Sequence, residues 1–507
     1  MADYKFGIDF GACNLKCVRA DNSKVRAIRL TTRDDGSFHA PNAIYYKKNQ
    51  DGTIENIIGQ YALNTGATST PENLVFGLKR KLEIKDWKQF IPTLNCEVGA
   101  QKVTEDIFQK IFQFATKNVP EGNEAHAAVT VPVIFTKHQR NLIKSAAQKA
   151  GFIVDAVINE SFAAIFGVDA KEDSLNVIFD LGGSTLDVSI IKFSRDEVLE
   201  LAAAGLKLGG LDIDRLILEK ILKQKFPDQM AANWQQYLNA DDLQMDFARR
   251  IKENLYSDEF TDSITSADIG APFDFTLSRA EVDALLESEG YREKIFAMLD
   301  ELFEELSQND DYCFDKSDVT KIWAMGATMR IPYFKKLLED YFGEALFDSQ
   351  DYDFEDNEGI AEGLENKYLI VAGGAAEFLK KRENITAVNA IPYRICYSLG
   401  KDLQPGIAKN MPSGWETRDL KLNLNELESC GWKISLYQTF VDESNFDDAA
   451  FFGELNLDST KYEKKESPLL KMKMMRDGRL RLRFSERRML DDEPDIILVE
   501  ELFLNLD

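Results

Sequence analysis

Two stretches of this chain, FGIDFGACNLKCV from Phe6 and IFDLGGSTLDVSII from Ile178, follow one plan: an apolar run, an aspartate, a glycine turn and a second alternating run. Alternation resuming after a glycine turn reads as a β-hairpin. Asp9 and Asp180 end the first strands, and Gly11, with Gly182 and Gly183, permits the tight reversal that follows. One local plan used twice implies a duplicated α/β domain.

The segment between the hairpins, AAVTVPVIFTKHQRNLIKSAAQKAGFIVDAVINESFAAIFG, predicts a strand, a helix and a second strand. Leu142, Ile143, Ala146 and Ala150 recur at helical spacing, and Gly151 is placed to end the helix. After the second hairpin come LAAAGLKLGGLDIDRLILEKIL, a polar helical region through Lys252, and KIWAMGATMRIPYFKKLLEDYF, again strand, glycine turn and helix. The acidic run from Asp348 to Gly359 reads as a loop or a solvated face. From about Ile391 the texture changes to short alternating segments, WKISLYQTF, FFGELNL, LLKMKMM, LRLRF and IILVEELFL, two of which flank the hairpin signal Asp477-Gly478. A separate β-sandwich domain over 393–507 is expected, joined through a linker at Glu383–Pro392 to a two-lobed domain over 1–382. A chain of 507 residues with 44% hydrophobic content can fill about three such cores.

Composition excludes several functions. The formal charge of −25 opposes phosphate backbones and anionic lipid, so neither nucleic acid nor membrane is an expected partner. The start MADYKFGIDF lacks a basic, long-apolar leader, and no stretch reaches the roughly eighteen apolar residues of a membrane span, which predicts a cytoplasmic protein. The six cysteines are scattered and read as free thiols, mostly small core residues. His39, His126 and His138 read as surface or capping residues, so histidine-dependent catalysis has little material.

Glycine-rich turns offer backbone N–H groups to anions, and two opposed turns make a phosphate clamp. Asp9, Asp180 and Asp187 beside such a clamp are useful where a divalent ion bridges them to phosphate. Neither GxxxxGK[ST] nor GxGxxG occurs, so this is not a P-loop or dinucleotide-binding chain. Glu160 can orient an attacking water or simply stand as a helix N-terminal carboxylate. Lys79, in VFGLKRKL, can neutralise a transferring phosphoryl group or be a solvated surface lysine.

The ordered series FGIDFGACN, FGLKRKL, VTVPVIFTKHQR, VINESFAAI, FDLGGSTLDVSI, LGGLDID and AMGATMRIP resembles the seventy-kilodalton heat-shock chaperones of the actin-like (ribonuclease H-like) ATPase superfamily. The resemblance implies two lobes around a cleft for ATP or ADP with magnesium and potassium. Asp9, Lys79, Glu160 and Asp180 take the positions of catalytic residues, and Asp9, Asp180 and Asp187 those of metal-organising ones. Gly11, Ala12, Cys13, Gly182, Gly183, Ser184, Thr185, Gly209, Gly210 and Lys252 would line the nucleotide, and Gly326, Ala327, Thr328 and Arg330 would face adenosine. Pro132 and Arg140 stand where the family relays nucleotide state between domains. KISLYQTF, FFGELNL and LLKMKMMRDGRLRLRF resemble its peptide-binding sandwich, and the chain ends where the family's helical lid would begin, so captured peptide should exchange quickly.

The departures fall at the site. Ala12 and Cys13 replace two threonines, Ser184 a glycine, Ser161 a proline, and Glu253 an arginine that stacks near adenine. SLGKDLQPGIAKN is shorter than the peptide-arching loop, and the linker lacks its leucines. The expected function is an ATP-hydrolysing chaperone whose nucleotide state tunes binding of unfolded or extended polypeptide, served by a J-domain-type cochaperone and a nucleotide exchange factor. The alternative is a nucleotide-gated scaffold holding one dedicated protein partner, with weak or absent hydrolysis. A sugar or acetate kinase, or a filament-forming actin relative, has no use for the added β domain.

Overall fold

The computed structural model describes residues 3–20, 25–30, 38–82, 84, 86–225, 242–257, 262–270, 274–307, 313–343, 367–388, 394–400, 402–407, 410, 417–439, 449–462, 467–474, 479–490 and 493–505. Asp3–Phe10 and Asn14–Ala20 pair antiparallel, as do Ser174–Leu181 and Leu186–Phe193, so both expected hairpins are present. Each sheet then grows alike. The second hairpin strand pairs antiparallel with a third, Val25–Ile28 or Glu197–Leu206, and the first pairs in parallel with a later one, Glu124–Val131 or Lys321–Met325. Those later strands lead into the helices Lys137–Ala150 and Pro332–Phe342. The duplication read from the hairpins therefore extends through strand order and crossovers.

Local chemistry explains where the helices stop and start. Thr136 and Gln139 close a capping box at the head of Lys137–Ala150, and Gly151 ends it at φ 117°. Ile143, Ala146 and Ala147 from this helix join Phe6, Ile8 and Val129 in the first lobe's core, while Val177, Phe179 and Val188 anchor the second. Two helices fill the seam between the sheets, Glu160–Ala164 and Ile370–Lys381. A Cβ on Gly7 would lie 1.9 Å from Ala372 O and one on Gly374 1.9 Å from Ala163 O, so this contact demands glycine.

The expected C-terminal strands form two four-stranded sheets. One runs Leu403–Ile407, Arg394–Ser398, Lys433–Thr439, Ala449–Asn456; the other runs Leu420–Lys421, Leu469–Met474, Arg479–Leu490, Glu493–Asn505. Ile395, Leu436, Leu470, Leu482 and Phe484 are fully buried between them, giving a sandwich core. The register Met474↔Leu480 fits the expected hairpin, although Asp477 and Gly478 lie outside the described residues, as does the acidic run 348–359.

Three details differ from expectation. Leu403–Ile407 is a strand rather than part of a loop, because Leu403 and Ile407 can bury their side chains while Pro405 sits in the strand that ends this sheet among the described residues. Thr386–Val388, within the stretch read as a linker, adds an edge strand beside Glu197–Leu199. Of the cysteines, Cys17 and Cys396 are buried but Cys96 and Cys313 are exposed, so most are not core residues. Among the described residues, no helix is long and apolar enough to cross a membrane.

Candidate functional site

The first hairpin's turn is braced by Asn42, a buried residue that the sequence reading did not single out. Its N–H donates to Cys13 O at 2.7 Å and its Nδ2 to Gly11 O at 2.7 Å. The second turn is braced by its own lobe. Gly210 N donates to Gly182 O at 3.0 Å, Leu211 N to Gly183 O at 2.7 Å, and Thr328 Oγ1 to Gly182 O at 2.8 Å. The residues expected around a phosphate chain, Gly11–Cys13, Gly182–Thr185 and Gly209–Gly210, are thereby brought together with Thr328. The turns face each other closely: a Cβ on Gly183 would lie 2.3 Å from Cys13 Sγ. Arg80 of the first lobe adds a tie 2.6 Å from Asp212 Oδ2 of the second.

Beneath the turns lie Asp9, Glu160, Asp180 and Asp187, all buried. The two hairpins share one register: Asp9 stands opposite Lys16, and Asp180 opposite Asp187, each seven residues on. Lys16 Nζ lies 2.6 Å from Asp9 Oδ2 and is the second residue the sequence reading missed; counting the register across the duplicated turns would have found it as the counterpart of Asp187. Lys79, 2% exposed, is no surface lysine. Its ammonium pairs with Glu160, across 81 residues of sequence, and lies 5.7 Å from the centre of the Phe135 ring. Glu160 is also the first residue of its helix, the plain alternative for that position.

Four carboxylates thus meet two lysines. Burial, followed by the neighbouring charge of Asp187, raises Asp180 to about 7, and burial likewise pushes Glu160 and Asp187 above the usual carboxylate range against the pull of Lys79. With all four carboxyls ionised the cluster carries two negative charges in excess and, roofed by glycine turns, has the donor chemistry of a hard divalent cation such as magnesium. The residues present fit that ion. They fit a phosphate chain only once the two turns part around Cys13.

The remaining predicted positions are dispersed around this centre. Lys252 Nζ reaches Gly210 O and Asp214 Oδ1, both at 2.7 Å, and burial raises Asp214 to about 6 despite that lysine. Gly326, at φ 92°, packs its α-carbon so closely that a Cβ would lie 2.2 Å from Leu181 O. Ala327 is exposed, and Arg330 extends over the Tyr368 ring at 5.5 Å. Arg140 donates to Pro132 O at 3.3 Å and to Asn159 Oδ1 at 2.6 Å. From there a buried polar chain continues: Asn159 Nδ2 donates to Glu200 Oε2 at 3.0 Å, Ser189 Oγ donates to Glu200 Oε1, and Ser161 Oγ lies 2.5 Å from Ser189 Oγ. Glu200 therefore grips the residues on both sides of Glu160, Asn159 directly and Ser161 through Ser189. Three residues along the same strand, Ala203 N donates to Asn410 Oδ1 of the C-terminal β-rich region at 3.0 Å, and Asn410 also bonds Glu305.

Two of the three histidines depart from expectation, and His39 is one, half-buried in a strand with its ring 5.8 Å from that of Tyr368. His138 is exposed, but His126 is half-buried with a carboxylate on each ring nitrogen.

The family model described as Hsp70 protein matches residues 5–364. A chaperone protein DnaK of Thermoplasma volcanium is 32% identical over 348 residues, covering 66% of this chain and 54% of the relative. That of Nitrosopumilus maritimus is 28% identical over 382 residues, covering 72% and 56%. The chain spans about half the length of the curated relatives it matches.

Proposed function

The chain belongs to the Hsp70 protein family, and from that premise we propose that it is a chaperone-like ATPase binding ATP and ADP between its two turns. The observation that carries the reading is the buried cluster of Asp9, Glu160, Asp180 and Asp187 with Lys16 and Lys79 under two opposed glycine turns. Asp9, Asp180 and Asp187 are the groups to hold magnesium, with potassium nearby. The ion would supply positive charge to the phosphate oxygens as negative charge develops during transfer.

The protein's own contributions are specific. Backbone N–H groups of Gly11–Cys13 and Gly183–Thr185 bind phosphate oxygens, Gly182 N–H closing the turn onto Thr185 O at 2.9 Å, while Lys79 neutralises the γ-phosphoryl group. Glu160, a carboxylate held at raised proton affinity, orients the attacking water and accepts its proton. Gly209, Gly210, Lys252, Gly326, Ala327, Thr328 and Arg330 bound the nucleoside side. Pro132 and Arg140 begin the route to the β domain, and the contact of Ala203 with Asn410 supports such a route. The sandwich is proposed to bind extended polypeptide, with a J-domain-type cochaperone and an exchange factor as partners and the cytoplasm as the place of action.

Cys13 seated against Gly183 favours a second reading, a nucleotide-gated scaffold for one dedicated protein with little or no hydrolysis. ATP binding and single-turnover hydrolysis, with magnesium and potassium, separate the two when the wild type is compared with Lys79→Ala and Asp180→Asn. Hydrolysis lost in both variants supports the ATPase; tight ATP that is never cleaved supports the scaffold; no binding defeats both.

A further inference from the structure

We propose that His126, Glu124 and Asp3 form a divalent-metal site suited to zinc at the outer end of the first sheet. The backbone assembles it. Asp3 and Glu124 are register partners at the starts of adjacent parallel strands, and His126, two residues after Glu124, projects from the same face. One ligand atom from each of the three lies within 4.8 Å of the others. His126 Nε2 is 3.3 Å from Glu124 Oε2. Zinc bonds of about 2.0–2.1 Å in tetrahedral geometry separate neighbouring ligand atoms by about 3.3 Å, so this pair already stands at that spacing.

The support behind the histidine is the independent observation. Asp155 Oδ2 sits 2.7 Å from His126 Nδ1, the ring nitrogen other than the one Glu124 approaches. Arg382 holds Asp155 in turn, with Nη2 3.0 Å from Asp155 Oδ1 and Nη1 3.4 Å from its carbonyl oxygen. A carboxylate fixing one imidazole nitrogen so that the other points at anionic ligands is the usual outer shell of a metal-bound histidine. Lys5, beside His126 in the register, is turned to Leu379 O at 3.0 Å, and among the described residues no lysine or arginine pairs with Asp3 or Glu124. Three protein ligands leave the fourth position of a tetrahedron to water or a partner's side chain.

This site is independent of the nucleotide reading. Asp3 and Asp9 are six residues apart on one strand, about 20 Å, and face different ends of the sheet. Metal binding would join the starts of two core strands and, through Asp155 and Arg382, the end of the helix Ile370–Lys381.

The test is calorimetric titration of zinc, and of cobalt for its visible tetrahedral bands, into the metal-stripped full chain without a histidine tag. The background is Asp180→Asn, which weakens the acidic cluster at the turns. One equivalent should bind, with tetrahedral cobalt bands. His126→Ala should abolish it, and Asp3→Asn, an exposed change that leaves the core intact, should weaken it tenfold or more. Asp155→Asn should weaken it about 10- to 100-fold while leaving the stoichiometry unchanged. No stoichiometric binding, or binding indifferent to His126→Ala and Asp3→Asn, overturns the proposal and leaves His126 as a hydrogen-bonded clamp between carboxylates.

Discussion

Replacing Lys79 by methionine should cost up to about 3 kcal/mol at pH 7, and the cost should shrink as pH falls. The ammonium is buried against Glu160, which is itself only 8% exposed and shares its surroundings with Asp9, Asp180 and Asp187. Deleting one partner of a buried pair costs about 3–5 kcal/mol, because the other charge stays desolvated. The variant has an escape: Glu160 can take a proton. Moving a carboxyl from its ordinary value of 4.5 to protonated at pH 7 costs about 1.4 kcal/mol per unit, or about 3 kcal/mol, which caps the loss. At pH 5 the same escape costs under about 1 kcal/mol. Urea denaturation of the nucleotide-free full chain at pH 7 and pH 5 measures both numbers, and Lys79→Met with Glu160→Gln should recover most of the stability lost at pH 7. A loss well above about 3 kcal/mol at pH 7, or one that is unchanged or larger at pH 5, would refute the reasoning.

Other outcomes follow from the same geometry. Asp214 is raised to about 6 by burial, so its contribution to stability falls as pH rises from about 4 to 6. Asp214→Asn should flatten the stability profile in that window by up to about 3 kcal/mol, read from unfolding midpoints. Gly183→Ala drives a methyl group against Cys13 Sγ and should weaken ATP binding; adding Cys13→Ala should restore it, as equilibrium nucleotide titration would reveal. Glu200→Ala leaves Asn159 and Ser189 without their shared acceptor, and should lower single-turnover hydrolysis more than ATP affinity, whereas Glu200→Gln should retain part of the rate. Asn410→Ala removes the acceptor of Ala203 N–H and should reduce any nucleotide-dependent change in hydrogen exchange of the sandwich, leaving ATP affinity unchanged.

Much of this architecture was legible in the chain. The hairpins at Phe6 and Ile178, the helix ending at Gly151 and the C-terminal strands are written in alternation, helical spacing and glycine, each a property of neighbours within about seven residues. Even the Asp9–Lys16 pair was within reach of local counting, since register in a hairpin follows from the turn.

What local pattern determined, then, was which segments are strands and helices and that one unit is used twice. Only the tertiary structure decided which polar groups share a site. Lys79 and Glu160 are 81 residues apart, Asn410 and Ala203 are 207 apart, and Asp155 reaches Arg382 across 227. Nothing in the periodicity around Glu200 or His126 separates them from solvated residues. Their partners are chosen by how parallel strands stack and how the seam helices pack, and the same burial decides whether a carboxylate meets water, an ammonium or another carboxylate.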